Sequence, residues 1–432
     1  MKRFLSILLA LIMVLSLSAI SVAMAEEHEP VTITFAWWGG DERRDATLEV
    51  INQFMEKYPW ITVEAQYGSS DGYNDKLATS LSAGTAADVV QIDPSYMPKY
   101  VEGHDYFVDY SDYGFDLSKF DDAYLSSTSN GRFDGHQWGL PTGVTGTAVL
   151  YNAELMKKVG IDIDFNSAYT WADLIEAGKK VKEYDPSLTL LCTNVTYLAR
   201  IVLYDNLRAA LGDNPYDITT DPVQLIVSKE TVQENLEMIK SLFDGELVKP
   251  VSYMQSYMGD TLQNDSEWAE GKYLMAITYS SLADVLTEAC PTVDWDCARV
   301  CFMPDSTAEG LGGGTGQLIS VPKASKHIRE AMLFVDYFFN DPTAMATLKA
   351  TRSVPPTEEA RKICEENGYI SKVVSAACNY AAMFTAIPGD GISNSAECRA
   401  VMEDAVASVA YGIATPEQAA EDLLEQMADL IK

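Results

Sequence analysis

The chain lacks the short motifs that usually mark a catalytic site. It has no Gly-x-Ser-x-Gly elbow and no His-Glu-x-x-His pair, so neither a hydrolase nucleophile nor a zinc-protease site can be read from it. There is no Cys-x-x-Cys. The four histidines, His28, His104, His136 and His327, are remote in sequence from the cysteines, which argues against a metal centre. EF-hand spacing is absent too. Gly310-Leu-Gly-Gly-Gly-Thr-Gly316 invites a phosphate-loop reading, but no Gly-Lys-Ser/Thr follows and the next element reads as a strand, not a helix. A hinge or a close backbone approach suits these glycines better. No cofactor and no metal are expected.

Basic residues are scarce: 31 Lys+Arg stand against 63 Asp+Glu, a net charge of -32. Such a chain is a poor partner for nucleic acid or anionic lipid. A solvated acidic surface explains the balance without naming a ligand. Acidic pairs such as Asp121-Asp122 and Asp294/Asp296 carry no catalytic signal, because acid–base chemistry depends on spacing that linear sequence does not give. Seven cysteines leave at least one thiol unpaired within a monomer. Cys290, Cys297 and Cys301 are close together, whereas Cys364, Cys378 and Cys398 are spread through the C-terminal part. Disulfides and buried free thiols both remain open.

Beyond the N-terminus no apolar run is long enough to span a membrane. Lys2 and Arg3 precede an apolar stretch over residues 4–20, and Ala23-Met24-Ala25 supplies small residues for cleavage. This is a secretory signal, expected to be cut before Glu26; the apolar run is short for a spanning helix. Losing Lys2 and Arg3 takes the charge from -32 to -34. The first cysteine is Cys192, so no lipid-attachment cysteine sits at the cleavage site. The mature protein is expected in the periplasm or medium, not anchored through an N-terminal Cys.

Roughly four hundred residues, 47% of the chain apolar, exceed what one core usually serves and predict two lobes. Residues 31–36 read as a strand and 45–58 as a helix, then strand 61–67, helix 71–83 and strand 88–92. That alternation is an α/β unit with a parallel sheet. An aromatic-rich loop covers residues 100–133. A strand over 148–151 follows, then helices starting near Ala153, Trp171 and Thr196. Thr170-Trp-Ala-Asp173 falls one residue type short of a capping box, with Asp for Glu. Ser280 or Ser281 is a candidate helix cap after a strand over 274–278. A strand at 318–321 and helices from Ile328 to the C-terminus complete the pattern.

A pyranose offers apolar faces for stacking and a rim of hydroxyls for hydrogen bonds. Trp37-Trp38 ends the first strand, and Asp41, Glu42, Arg43 and Asp93 follow strand ends. Ligands of open α/β sheets collect at such carboxyl ends. Two adjacent tryptophans on a strand cannot both face one core, so at least one is expected to meet a ligand. Arg43 and Arg44 also suit an acidic sugar such as a uronate.

In order along the chain, Trp37-Trp38-Gly39, Phe54-x-x-x-Tyr58-Pro59-x-Ile61-x-Val63, the run from Gly84-Thr85-Ala86-Ala87-Asp88-Val89 to Asp93, Gly139-Leu-Pro141, Trp171-Ala-Asp-Leu174, Glu270-Gly271-Lys272, Ile319-Ser-Val-Pro-Lys323 and Arg352-Ser-Val-Pro355 resemble the family 1 extracellular solute-binding proteins. These are carbohydrate receptors related to maltose-binding protein. The resemblance implies a two-lobed, type II periplasmic-binding-protein-like α/β fold, each lobe a sheet flanked by helices, with ligand in the cleft between them. It implies lobe one at 26–142 and 317–346, lobe two at 147–312 and 353–432, and crossings at 142–146, 313–316 and 347–352. Carried over by position, the contacts are Trp37, Trp38, Asp41, Arg43, Asp93, Trp138 and Thr142 from lobe one, and Tyr279, Ser280, Gly313 and Gly314 from lobe two. Trp171 and Trp268 sit at helical positions and are expected to pack. The implied function is capture of a mono- or oligosaccharide by hinge closure and delivery, as a monomer, to the membrane permease of an ABC importer. A secreted glycosidase or lyase, and a receptor for a non-sugar solute, are the alternatives.

Overall fold

The computed structural model describes residues 28–68, 72–101, 103–259, 261–307, 311–387, 389–390, 392–393 and 395–432. The expected signal segment, residues 1–25, lies outside them.

The first sheet grows from β1 (Val31–Trp38). α1 (Asp41–Lys57) returns the chain to β2 (Ile61–Gly68), and α2 (Tyr73–Ala83) to β3 (Val89–Ile92). β1 lies parallel to both neighbours, with Trp38 opposite Gly68 and Phe35 opposite Val89. Burial along β1 has period two. Ile33, Phe35 and Trp37 enter a core with Phe54, Phe334 and Phe338, while Ala36 and Val90 turn to the opposite face, against Leu77 and Leu81. α2 ends at Gly84 with φ 66°, the left-handed cap that glycine takes without a Cβ clash.

β4 (Leu140–Pro141) leads out of this lobe and β5 (Thr147–Asn152) begins the second. α3 (Trp171–Tyr184) is followed by β6 (Thr189–Cys192), α4 (Tyr204–Leu211), α5 (Lys229–Asp244), β7 (Tyr273–Tyr279) and β8 (Trp295–Ala298). The second sheet runs β8-β5-β7-β6, with β6 parallel to β7. The chain then returns through β9 (Leu318–Ser320), so the first sheet reads β2-β1-β3-β9-β4. α6 (Ile328–Asn340) and α7 (Pro342–Leu348) cover it. α8 (Glu358–Glu366), α9 (Lys372–Ala382), α10 (Ala396–Ala410) and α11 (Pro416–Asp429) close the second lobe.

The second core is built around Trp268, stacked on Trp295 at 4.0 Å with its Nε1 donating to the Leu286 carbonyl at 2.7 Å. Trp171 is buried in the same core and donates to Asn206. The cap of α3 is a full capping box: Asp173 reaches back to the Thr170 amide at 2.8 Å, so the shorter acid does the work expected of Glu. The predicted single helix from Thr196 is instead broken, with a π-helical stretch at Leu198–Leu203 before α4. All seven cysteines are free and buried. Burial raises Cys297 to about 12 and Cys378 to about 11, so these thiols behave as small apolar side chains.

Three chain segments join the lobes, and they pair with one another. Thr145 and Gly314 exchange backbone hydrogen bonds at 3.0 and 3.1 Å, and the Val144 amide donates to the Val354 carbonyl at 2.7 Å. Gly313 lies in the middle of this ribbon: an added Cβ would stand 2.7 Å from the Thr145 oxygen and 3.0 Å from Ala381 Cβ. At Gly314 the same atom would meet nothing within 4 Å. Gly313→Ala is therefore expected to cost about 1–3 kcal/mol through overpacking, and Gly314→Ala almost nothing; urea unfolding midpoints of the two variants check this.

Candidate functional site

The parallel strands of both sheets end toward the crossings. In lobe one, Ile92 at the end of β3 faces Leu318, which faces Pro141, the last residue before the first crossing. In lobe two, Tyr279 at the end of β7 faces Thr147, the first residue after it. Strand carboxyl ends of the two lobes thus open on the same region.

Strand alternation separates the two tryptophans. Trp37 is 0% exposed, its ring 4.8 Å from Phe35 and 5.3 Å from Tyr67. It is a core residue, which corrects its assignment as a ligand contact. Trp38 is half-buried on the other face, 4.9 Å from Tyr73. Its carbonyl accepts from Gln91 Nε2 at 3.1 Å and Arg43 Nη1 at 3.2 Å. Gly39 makes that last contact possible, since a Cβ there would lie 2.5 Å from Arg43 Cδ. Arg43 Nε also donates to the Thr351 carbonyl at 3.3 Å, tying α1 to the third crossing. Asp41 is exposed and paired with Arg44 at 2.6 Å, a solvated pair of small energetic weight. Asp93 follows β3 and is half-buried, its carbonyl capping the turn at Tyr96.

Four further assignments are corrected. Trp138 lies three residues before Pro141, toward the amino end of β4, where its ring packs on His136 at 5.0 Å and under Lys323 Nζ at 5.6 Å. It lies between the two-residue strands His136–Gln137 and β4, not at a strand carboxyl end. Thr142 is buried and its hydroxyl donates to Gln317, so it fastens the first crossing. Ser280 is 2% exposed; its hydroxyl accepts from the Gly146 amide at 3.1 Å and its amide donates to the Gly146 carbonyl, so it caps no helix and reaches no ligand. Gly313 is enclosed within the hinge ribbon, whereas Gly314 keeps an open side.

On the second wall, Tyr279 is half-buried with its ring 5.6 Å from Tyr197. It lines a cavity of about 180 Å³ with Arg200, Tyr204, Asp205, Ser393 and Arg399. Of these only Tyr279 was named from sequence. Arg200 belongs to the π-helical stretch, and the irregular helix hides its facing from any 3.6-residue count. Tyr67, 51% exposed at the end of β2, was also missed, although its place at a strand end was a usable signal. A larger hollow of about 580 Å³ lies at the amino ends of β6 and β7, away from the crossings. Two of its lysines are ion-paired, Lys249 with Glu267 and Lys272 with Glu270.

Burial shifts three charged groups here. Arg352, 3% exposed, is pushed down to about 9 by burial and by the neighbouring Arg43 charge. Arg43 itself is lowered by burial. Asp205 is raised to about 6 by burial, against the pull of Arg208.

Among the described residues, no group of three or more His, Cys, Asp or Glu is placed to hold a metal ion. No helix among them is long and apolar enough to cross a membrane.

Residues 40–345 match the family model described as bacterial extracellular solute-binding protein. An arabinooligosaccharide-binding protein of Halalkalibacterium halodurans is 25% identical over 225 residues, covering 51% of this chain and 47% of that protein. The chain thus aligns with about half the length of that relative. A family 1 extracellular solute-binding protein of Alicyclobacillus acidocaldarius superimposes with a TM-score of 0.79 at 20% identity, covering 94% of this chain and 100% of that one. A periplasmic oligogalacturonide-binding protein of Yersinia enterocolitica gives 0.68 at 22% identity, covering 93% and 100%.

Two outcomes are expected from this site. Trp37→Ala should cost about 3–5 kcal/mol of folding stability and Trp38→Ala distinctly less, as read by urea unfolding. Asp205→Asn should stabilise the protein at pH 7. The folded state raises this carboxyl above its unfolded value, so a buried charge opposes folding above pH 6 and that opposition fades as pH falls toward 4. The gain of the variant, of the order of 1–3 kcal/mol, should vanish by pH 4 in the same measurement.

Proposed function

The chain belongs to the bacterial extracellular solute-binding proteins, and on that premise we propose that it is an exported receptor that captures a carbohydrate and passes it to the permease of an ABC importer. The reading rests chiefly on one observation. Aromatic side chains, Trp38 and Tyr279, stand half-buried at strand carboxyl ends of the two lobes, on either side of a three-segment hinge. A ring that stacks on a sugar face needs an exposed aromatic surface held in place, and Trp38 has one, set against Tyr73. Ligand that touches both walls only when the lobes close selects the closed state.

The proposed contacts are Trp38, Arg43 and Asp93 from lobe one, with Tyr67 added, and Tyr279, Gly314 and the residues of its cavity from lobe two. Asp41 remains a candidate at the rim. The lobes are proposed to divide at the crossings named from sequence, with one refinement: Tyr124 packs into the second core and donates to the Gly143 carbonyl, so part of the aromatic-rich loop braces the hinge from behind. We further propose that the protein acts as a monomer, binds without turnover and is free of an N-terminal lipid. The arabinooligosaccharide and oligogalacturonide named for its relatives make plant-derived oligosaccharides the first to test.

A thermal-shift screen of residues 26–432 against mono- and oligosaccharides is the direct test. At about 100 times Kd a ligand bound only by the folded state adds roughly 2.7 kcal/mol, a shift of several degrees. The shift should be lost in Trp38→Ala, and the sugar should be recovered intact. Release of reducing ends by the pure protein would replace the receptor by a glycosidase; silence across all sugars would point to a non-sugar solute.

A further inference from the structure

Among the described residues, lobe one holds positive charge that no carboxylate neutralises. Arg352 is buried, with one terminal nitrogen on Gln91 Oε1 and the other on Thr47 Oγ1 at 2.9 Å, and its Nε has no hydrogen-bond partner. Arg43 lies beside it, and its bonds go to two neutral carbonyls, those of Trp38 and Thr351. Among the described residues, neither guanidinium has a carboxylate within ion-pair distance. Acids are not scarce, since they outnumber bases 63 to 31. Other arginines of the chain find them: Arg44 pairs with Asp41 and Asp45, Arg132 with Asp122, Arg208 with Asp205 and Arg361 with Asp121. Two adjacent, desolvated cations without a counter-charge are unfavourable, and an anion placed against them recovers what desolvation cost. Arg43 is the accessible member of the pair. It is half-buried at the start of α1, next to the Trp38 carbonyl, where strand carboxyl ends face the cleft.

We propose that the ligand is an acidic oligosaccharide, whose carboxylate takes the missing counter-charge position at Arg43, with Arg352 behind it. This rests on the reading of the chain as a sugar receptor. A guanidinium fork matches a planar carboxylate with two parallel hydrogen bonds, which a lysine does not reproduce. Trp38, whose own carbonyl holds Arg43, presents its ring next to that charge, so one strand end offers both a stacking face for the sugar and a partner for its acid group. The opposite wall also carries arginine. Arg200 and Arg399 line the cavity at Tyr279, and Arg200 lies 3.3 Å from Glu403.

The test is titration calorimetry with digalacturonic acid and a glucuronate-containing disaccharide, each beside its methyl ester and its carboxyl-reduced neutral form, with neutral arabino-oligosaccharides alongside. At least one uronate should bind ten times or more tightly than both of its neutral counterparts. Arg43→Gln should weaken that uronate roughly tenfold to hundredfold, as loss of a charged hydrogen bond does, and Arg43→Lys should recover part of it. Unfolding midpoints of both variants separate loss of binding from loss of fold. Binding of a neutral oligosaccharide as tight as that of every uronate overturns the acidic ligand and leaves the receptor standing. So does equal loss of uronate and ester in Arg43→Gln. Binding of no sugar at all overturns the receptor, and this proposal with it.

Discussion

The arrangement of the two sheets depends on the backbone pairing of the segments that run between them. Thr145 with Gly314 and Val144 with Val354 form a short ribbon between two separately packed cores. Hydrogen bonds across such a ribbon keep the two sheets in register. Close approach is the cost of this arrangement. Gly143 and Gly313 would each push a Cβ to 2.7 Å from a neighbouring backbone oxygen. Ser353, directly after the third crossing, sits at φ 87°, a conformation that a side-chain-bearing residue adopts only when its surroundings impose it.

Polar side chains fasten the ribbon in addition to the apolar packing of Val144 and Val354 in the second core. Arg352 runs from the third crossing into lobe one and meets Gln91 and Thr47, both fully buried. Gln91 in turn holds the Trp38 carbonyl, which Arg43 also holds. Trp38, Arg43 and the segment carrying Arg352 therefore belong to one hydrogen-bonded chain, and their positions are coupled. On the other lobe Ser280 binds Gly146 through both its amide and its hydroxyl, which sets the end of β7 against the first crossing. Buried polar groups with satisfied partners fix geometry more sharply than apolar contacts, because their hydrogen bonds are directional.

Strand position also separates the fully buried aromatics from the partly exposed ones. Trp37, Trp171, Trp268 and Trp295 are buried, the last three in the second core. Trp38 and Tyr279 keep part of their rings free because they occupy strand ends, where the sheet stops and no helix covers the final residue. A position on the carboxyl end of a strand decides this more than residue type does.

The sequence by itself determined a great deal. Hydrophobic period and turn residues placed β1 through β3 and their helices within a few residues, because those elements are local and strongly patterned. The ordered series of short motifs named the family, and the Trp37-Trp38 pair marked a strand end with two faces. Tertiary structure alone decided which tryptophan faced the core, since alternation says only that the two differ. It alone showed what Thr142, Ser280 and Gly313 bond to: their partners Gln317, Gly146 and Ala381 lie 175, 134 and 68 residues away along the chain. It alone placed Trp138 between His136 and Lys323 and Arg200 in one cavity with Tyr279. It also brought Arg352 against Arg43, the pair that leaves charge unanswered. Contacts between segments this distant depend on how two sheets and three crossings pack, and no local pattern encodes that.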